Sequence, residues 1–136
     1  MINTLKTALA TLVADEVLKR VELAEEIEPE EHDLDEPKNS PSVLIYKGKT
    51  DYSDSDRDNR IRQIADRTYI VLLFCKTVNQ DALEDAIVLK CLGLRSSEHD
   101  YPMQARGSMT VDISGEHTVR RIEFSSQKSI SAVSSI

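Results

Sequence analysis

The sequence has no tryptophan, and aromatic residues make up only 4% of its 136 residues. Proteins that bind single-stranded nucleic acids stack bases on aromatic rings, so a stacking platform of that kind is not expected. Glycine is also scarce, with four in total, and none falls at the GxGxxG or GxxxxGK spacing of a phosphate-binding loop. These absences argue against the common nucleotide-binding designs.

Cysteine and long hydrophobic runs are likewise limited. The two cysteines, Cys75 and Cys91, lie in apolar segments, which indicates buried free thiols in a reducing compartment. One disulfide between them is the alternative. The longest apolar run, residues 69–75, has the length of a strand and not of a membrane span. The N-terminus lacks the features of a signal peptide, so we expect a cytosolic protein without membrane contact.

Clusters of basic residues are absent too. The formal net charge is −7, and it is unevenly spread: residues 1–59 hold 15 acidic and 7 basic residues, whereas residues 60–136 hold 9 and 10. Binding to phosphate backbones requires clustered lysine and arginine, so the first half should repel nucleic acid. Residues 22–37 hold nine carboxylates without a lysine or arginine. They are predicted to form a solvated loop, with an electrostatic docking surface as the alternative.

No catalytic or metal-binding motif is present. The three histidines, His32, His99 and His117, lie in polar segments, and none has a cysteine or histidine at metal-ligand spacing. Both cysteines lie on apolar stripes, where a thiol packs in the core rather than reacts. Folding could still assemble a Ser-His-Asp arrangement, but no nucleophile-elbow motif marks one. We therefore predict no enzymatic activity, no cofactor and no metal.

One acidic loop resembles the start of a calcium site. Asp54, Asp56 and Asp58 are spaced as D-x-D-x-D. The twelfth position, which should be a bidentate glutamate, is Ala65, and Arg57 brings positive charge close to the supposed ion. A solvated or partner-facing loop fits these residues better than a calcium site.

The first half of the chain predicts one helix and two short strands. Apolar residues at helical spacing indicate a helix over residues 2–15, and a strand is expected over residues 18–24. A longer first helix is the alternative. A second strand over residues 43–47 is expected to end at Gly48 and to lead into a polar loop over residues 48–59.

A long strand over residues 61–77 is apolar on both faces in its second half. One face consists of Tyr69, Val71, Leu73 and Cys75, and the other of Ile70, Leu72 and Phe74. A strand that is apolar on both faces is covered on both sides. One layer of helices covers only one side, so the other side must meet another sheet or a partner chain. We assign Tyr69, Val71 and Leu73 to such an interface.

The second half of the chain predicts a helix and a hairpin. Asn79 is expected to cap a helix that ends near Gly93. A loop over residues 94–107 leads to two strands with alternating apolar and polar residues, which a turn at Ser114-Gly115 joins. The apolar face of the first of these strands consists of Met109, Val111 and Ile113.

This order of elements predicts an α+β fold with a mostly antiparallel sheet of about four or five strands and two helices packed on one face. We expect a single domain over residues 1–126. The serine-rich residues 127–136 are expected to form a flexible C-terminal tail.

Four stretches of the chain together resemble the tail terminator proteins of tailed bacteriophages, including those of Mu-like phages. They are the N-terminal helix with the strand PSVLIYKG, the long strand ending DRTYIVLLFCKT, the helix ALEDAIVLKCLGLR and the terminal hairpin RGSMTVDISGEHTVRRIEFSSQ. These stretches cover most of residues 1–126. Family members often carry tryptophan after the helix glycine and near the final strand, where this chain has Leu94 and Arg121.

The resemblance implies a structural protein of the virion neck that is assembled in the host cytoplasm. Terminators form a hexameric ring at the head-proximal end of the completed tail tube, where they stop tube polymerisation. The implied partners are further copies of the chain, the tail tube protein, the head–tail connector or stopper protein and, in a contractile tail, the sheath. Genomic DNA passes through the ring without specific binding, and the family has no catalytic residues.

An acidic wall would repel DNA in the lumen of such a ring. We therefore expect part of residues 22–37, or the loop residues Asp54, Asp56, Arg57 and Asp58, to lie at the lumen, at its rim or in an interface. Two other functions are kept as alternatives. One is a different neck, head–tail joining or tube protein. The other, in a different class, is a small cytosolic enzyme or ligand-binding domain with a concave pocket.

Overall fold

The computed structural model of the protein describes residues 1–26, 40–53, 60–97 and 101–133. Its main elements are α1 (Ile2–Ala14), β1 (Arg20–Leu23), β2 (Ser42–Tyr52), β3 (Arg60–Lys76), α2 (Gln80–Cys91), β4 (Gln104–Ser114) and β5 (His117–Val133). Two short 3₁₀ turns, Ala24–Glu26 and Thr77–Asn79, follow β1 and precede α2. Within these described ranges, neither helix has the length and apolarity needed to span a bilayer.

The five strands form one sheet in the order β1-β2-β3-β5-β4. β1 runs parallel to β2, and the other neighbouring pairs are antiparallel. The predicted α+β class, with a mostly antiparallel sheet and two helices, is therefore confirmed. β3 and β5 form the spine of the sheet, because their 17 residues each pair along the whole length, from Arg60 opposite Val133 to Lys76 opposite His117.

Both helices pack on the same face of the sheet and form the main core with it. α1 contributes a stripe of residues three or four positions apart: Ile2, Leu5, Leu9 and Leu12. α2 contributes a shorter stripe of Leu83, Ile87 and Cys91. The sheet contributes alternate residues of its central strands, among them Val43, Ile45, Val71, Leu73, Ile122 and Phe124. Burial of each large aliphatic side chain stabilises the fold by about 1.5–3 kcal/mol, so this core holds the helices on the sheet.

The opposite face of the sheet carries a second, smaller apolar cluster. Leu44 and Phe74 are buried there, and Ala24, Leu72 and Val119 pack against them. Ala24 belongs to the 3₁₀ turn after β1, so the chain itself supplies part of the cover on this face. The two apolar faces of β3 thus pack in two separate clusters, as a strand covered on both sides requires.

β2 does not end at Gly48, as the sequence predicts, but continues to Tyr52. Its register with β3 shifts between Lys47 and Thr50, so Gly48 lies in a bulge. A Cβ atom at Gly48 would come within 3.1 Å of the Thr68 side chain. The prediction was wrong because this glycine permits a close approach between two strands rather than ending one of them.

The last two strands are also longer than predicted. β4 begins at Gln104, inside the expected loop, and β5 continues to Val133. The expected flexible tail is therefore wrong for residues 127–133, which pair with the first residues of β3. That part of β3 offers a row of backbone hydrogen-bonding groups. Serine-rich sequence can pair with such a row whatever its own strand propensity.

The sequence predicts specific residues at the two ends of α2 and at the turn of the β4–β5 hairpin. Asn79 stands at the N-cap of α2, but its side chain makes no capping hydrogen bond. Gly93, just after the helix, has φ +82°, and Gly115 in the hairpin turn has φ +62°. Both values lie in the left-handed region that favours glycine, as predicted for a helix C-terminus and for a hairpin turn.

Candidate interaction surfaces

The two thiols are held in the core, away from solvent. Cys75 and Cys91 are both free and both buried, as the sequence predicts. Burial disfavours the charged thiolate, so it raises the pKa of both thiols, that of Cys91 to about 12. A thiol that stays protonated at neutral pH is a poor nucleophile, which argues against either cysteine as a catalytic group.

His117 is the one histidine within the described residues, since His32 and His99 lie outside them. It shares a cavity of about 200 Å³ with Ser114 and Asp112. In this part of the chain no hydrogen bond joins the three side chains, and the buried His117 Nε2 atom has no partner. A serine nucleophile requires a base within hydrogen-bond reach, so these residues are not arranged as a catalytic relay. No three histidine, cysteine or acidic residues of the described ranges form a group that could hold a metal ion.

The residues assigned to an interface from the sequence fall into two groups. The described residues do not include Asp54, Asp56, Arg57 and Asp58, whose assignment stays a prediction. The two helices cover Tyr69, Val71 and Leu73, which are only 4%, 0% and 0% exposed. The chain therefore covers this face of β3 itself, and the surface open to a partner lies elsewhere.

An open groove lies where α1 begins and the sheet continues beyond it. It is lined by residues 1–3 at the start of α1 and by residues of β2 and β3 around the Gly48 bulge, including Lys47, Thr50, Tyr52, Arg67 and Thr68. Its volume is about 510 Å³. We call it the α1 groove. It exists because β2 and β3 extend past the first turn of the helix that covers them.

The α1 groove is positively charged in a chain that is acidic as a whole. Lys47 and Arg67 line it, and neither has an ion-pair partner among the residues described. The first turn of α1 contains no acidic residue, so nothing there offsets the partial positive charge of the helix N-terminus. Tyr52, which is 59% exposed, adds an apolar ring beside these charges. The groove thus suits a partner that presents carboxylates next to apolar side chains.

The outer side of α2 carries an exposed stripe, the α2 stripe, formed by Val78, Asp81, Asp85 and Leu89. Asp81, Asp85 and Leu89 recur every four positions, so they lie on one side of α2, and Val78 lies in the 3₁₀ turn that precedes the helix. Val78 and Leu89 are 85% and 75% exposed, and both aspartates between them are exposed. The buried stripe of α2 lies on the opposite side of the helix. The α2 stripe therefore points away from the sheet.

β4 is an edge strand that exposes apolar side chains. Met109, Val111 and Ile113 are 56%, 54% and 64% exposed. They were predicted to form one face, but the register with β5 shifts between Thr110 and Asp112. Because of this shift, Met109 lies opposite Arg121 and Ile113 lies opposite Thr118, on different faces of the sheet. An unpaired edge with exposed apolar residues is a ready surface for another protein.

One arginine fixes α2 relative to the β4–β5 hairpin. The Arg120 guanidinium donates hydrogen bonds to the Glu84 carboxylate at 2.8 Å and to the hydroxyls of Ser108 and Thr110 at 2.8 and 3.0 Å. Arg120 and Glu84 are only 21% and 22% exposed, so these contacts are partly shielded from water. The α2 stripe and the β4 edge are therefore held in a fixed mutual arrangement.

Comparison with known proteins shows similarity at the level of the fold. No protein-family profile and no curated protein sequence matches the chain. Among solved structures, a chain in the virion of a native gene transfer agent particle is similar, with a TM-score of 0.57. The alignment covers 95% of this chain and 92% of that chain, at 12% sequence identity. At that identity the two chains share a fold, and function has to be argued from the surfaces described above.

Proposed function

We propose that this protein is a structural, non-enzymatic component of a phage-like virion, and that it forms the ring that ends the tail tube. Its fold, shared with a chain of a gene transfer agent virion, supports the broader part of the proposal. The resemblance of its sequence to tail terminators supports the narrower part. A different neck protein or a tube protein is the alternative within the same class.

The observation that carries the proposal is the exposure of apolar side chains on two separate surfaces. The α2 stripe and the β4 edge expose five large apolar side chains by 54–85% each: Val78, Leu89, Met109, Val111 and Ile113. Groups of exposed apolar side chains mark surfaces where proteins contact one another, and a subunit of an assembly buries such surfaces. Two different surfaces on one chain permit head-to-tail contacts, and such contacts can close into a ring.

In this role the chain contacts copies of itself, the tail tube protein and the head connector, and it needs no catalytic group. Two observations fit that requirement. The buried thiols stay protonated, and no hydrogen bond joins the side chains of Ser114, His117 and Asp112 in the described part of the chain. The net negative charge of the chain fits a ring through which DNA passes without binding.

The experiment that tests the proposal is tube assembly followed by electron microscopy. The purified protein is imaged alone and after mixing with the tail tube protein encoded in the same genome. We expect closed rings, alone or at tube ends, and tubes whose mean length falls as more of the protein is added. If the protein polymerised into long tubes by itself, it would be a tube protein. If it neither formed rings nor changed tube length, the terminator assignment would be wrong.

A further inference from the structure

We propose that the α2 stripe of one copy docks into the α1 groove of the next copy. This inference rests on the proposed ring, because it names the contact through which the copies would join. It concerns two surfaces whose named residues all lie in the described part of the chain, and it leads to an assembly experiment that does not depend on the tail tube.

Charge complementarity is the first argument for this contact. The groove presents Lys47 and Arg67 without ion-pair partners among the described residues, and the stripe presents Asp81 and Asp85. In a chain with a net charge of −7, two unpaired cations in one groove are an exception to the overall charge. Complementary charges of this kind select the partner and its register, and like charges in the same place oppose association.

The arrangement of the apolar residues is the second argument. Val78, in the 3₁₀ turn before α2, and Leu89 lie at the two ends of the stripe, and Asp81 and Asp85 lie between them, so the stripe has apolar ends and an acidic centre. The groove offers the exposed ring of Tyr52 beside its cations. Its volume of about 510 Å³ suits the side chains of one helix face.

The two surfaces cannot meet within one chain. The side of α2 opposite the stripe is buried on the sheet, so the stripe points away from the sheet. The groove is lined by residues of the sheet and by residues 1–3 at the start of α1, which the same core holds in place. A contact between them therefore joins two copies through different surfaces. Such a heterologous contact repeats from copy to copy and forms a ring when its rotation closes, whereas two identical patches would stop at a dimer.

Charge reversal tests the contact. One variant carries Lys47→Glu and Arg67→Glu, and a second carries Asp81→Lys and Asp85→Lys. Each variant alone would bring like charges together, so we expect each to assemble at least about tenfold more weakly than the wild type in native mass spectrometry. A one-to-one mixture restores opposite charges at every contact, and a single chain with all four substitutions does the same. Both should assemble like the wild type.

A matched control carries Lys76→Glu and Arg95→Glu. This pair produces the same change in net charge as the groove variant, at two exposed cations outside both surfaces. It should assemble like the wild type. The proposal is overturned if either reversed variant assembles normally, or if the mixture and the fourfold variant stay dissociated although circular dichroism shows them to be folded.

If the wild type is monomeric at the working concentration, cross-linking tests the contact between the α2 stripe and the α1 groove instead. Both native cysteines are buried, so an introduced surface cysteine is the reactive one. A Thr50→Cys chain mixed at high concentration with a Leu89→Cys chain should form mixed disulfide dimers when dissolved oxygen with a copper catalyst oxidises the two thiols. Replacing the second partner by a Met109→Cys chain should give at least tenfold fewer. Equal yields from the two mixtures would contradict the contact.

Failure of this contact and failure of the proposed function give different results. If the charge-reversed variants still form rings and still shorten tubes, the copies join elsewhere and the terminator role stands. If the charge-reversal pattern holds but the rings leave tube length unchanged, the contact stands and the terminator role is wrong.

Discussion

At the scale of single residues, Arg120 connects α2 to β4 and so holds the α2 stripe and the β4 edge in a fixed arrangement. Its guanidinium joins Glu84 on α2 to two hydroxyls of β4 in a partly buried position. Arg120→Met keeps the apolar stem but leaves the Glu84 carboxylate without its cation. We expect the free energy of unfolding to fall by about 2 kcal/mol, measured by urea titration, because hydrogen bonds to a shielded charged group are hard for water to replace.

Arg121 is the next residue in β5, lies on the other face of the sheet and supplies a matched control. Its contact with Glu123 is longer, at 3.5 Å, and both side chains are 36% exposed. Arg121→Met should therefore cost less than about 0.5 kcal/mol, as exposed ion pairs usually do. Equal losses for the two substitutions would mean that Arg120 acts through its charge alone and not through its contacts.

Cys91 should make the protein less stable at alkaline pH. The pKa of its thiol is raised from an ordinary 9.0 to about 12, because the side chain is buried. Between these values the unfolded chain loses the thiol proton first, so the free energy of unfolding falls as pH rises, by at most about 1.4 kcal/mol per pH unit. Below pH 9 both states keep the proton and the contribution is constant.

The measurement for Cys91 is the slope of stability against pH, compared between the wild type and Cys91→Ala from about pH 8 to about pH 10.5. The variant leaves a small cavity and is less stable throughout, so only the slopes are compared. We expect a shallower alkaline slope in the variant. Identical slopes would show that Cys91 does not titrate differently in the two states.

At the scale of elements, β5 depends on β3 rather than on its own sequence. Residues 61–63 pair with residues 130–132 of β5. Deleting residues 127–136 should speed amide hydrogen exchange in residues 61–63 by at least about tenfold, because their ladder partner is gone. Residues 70–74, which pair with both β2 and the retained part of β5, should keep their protection.

The control for that deletion removes only residues 134–136, which lie outside the described part of the chain. It should leave the exchange of residues 61–63 unchanged. If the longer deletion also left it unchanged, residues 127–133 would not contribute a stable strand in solution.

The elements that sequence predicts well are those whose own residues determine them. The apolar stripe of α1, the two-sided strand β3 and the glycines at positive φ, Gly93 and Gly115, each carry a local signal that the structure bears out. Gly48 and the end of β5 were predicted wrongly. The bulge at Gly48 depends on the close approach of Thr68, and the end of β5 depends on backbone groups of β3 with which it can pair. Both contacts arise only when segments that are distant in the sequence come together.

At the scale of the whole molecule, the interaction surfaces could be predicted only in part. Asp81, Asp85 and Leu89 lie off the buried stripe of α2, so helical spacing alone could have marked this part of the α2 stripe. The α1 groove had no such signal, because Lys47 and Arg67 come together only through the pairing of β2 with β3. The sequence identified β3 as apolar on both faces, but alternation alone could not tell which face the helices would cover.

The net negative charge of the chain leads to a prediction about the assembled ring. If Asp54, Asp56 and Asp58 lie at the lumen, their replacement by lysine should leave the ring intact and make it bind duplex DNA, with an affinity that falls as salt is added. Ring integrity is measured by native mass spectrometry and DNA binding by fluorescence anisotropy. Asp15→Lys, Glu16→Lys and Glu116→Lys form the control, since they change the net charge equally at other exposed positions. Equal binding by both variants would trace the effect to overall charge. No binding by the first would remove these three residues from the lumen.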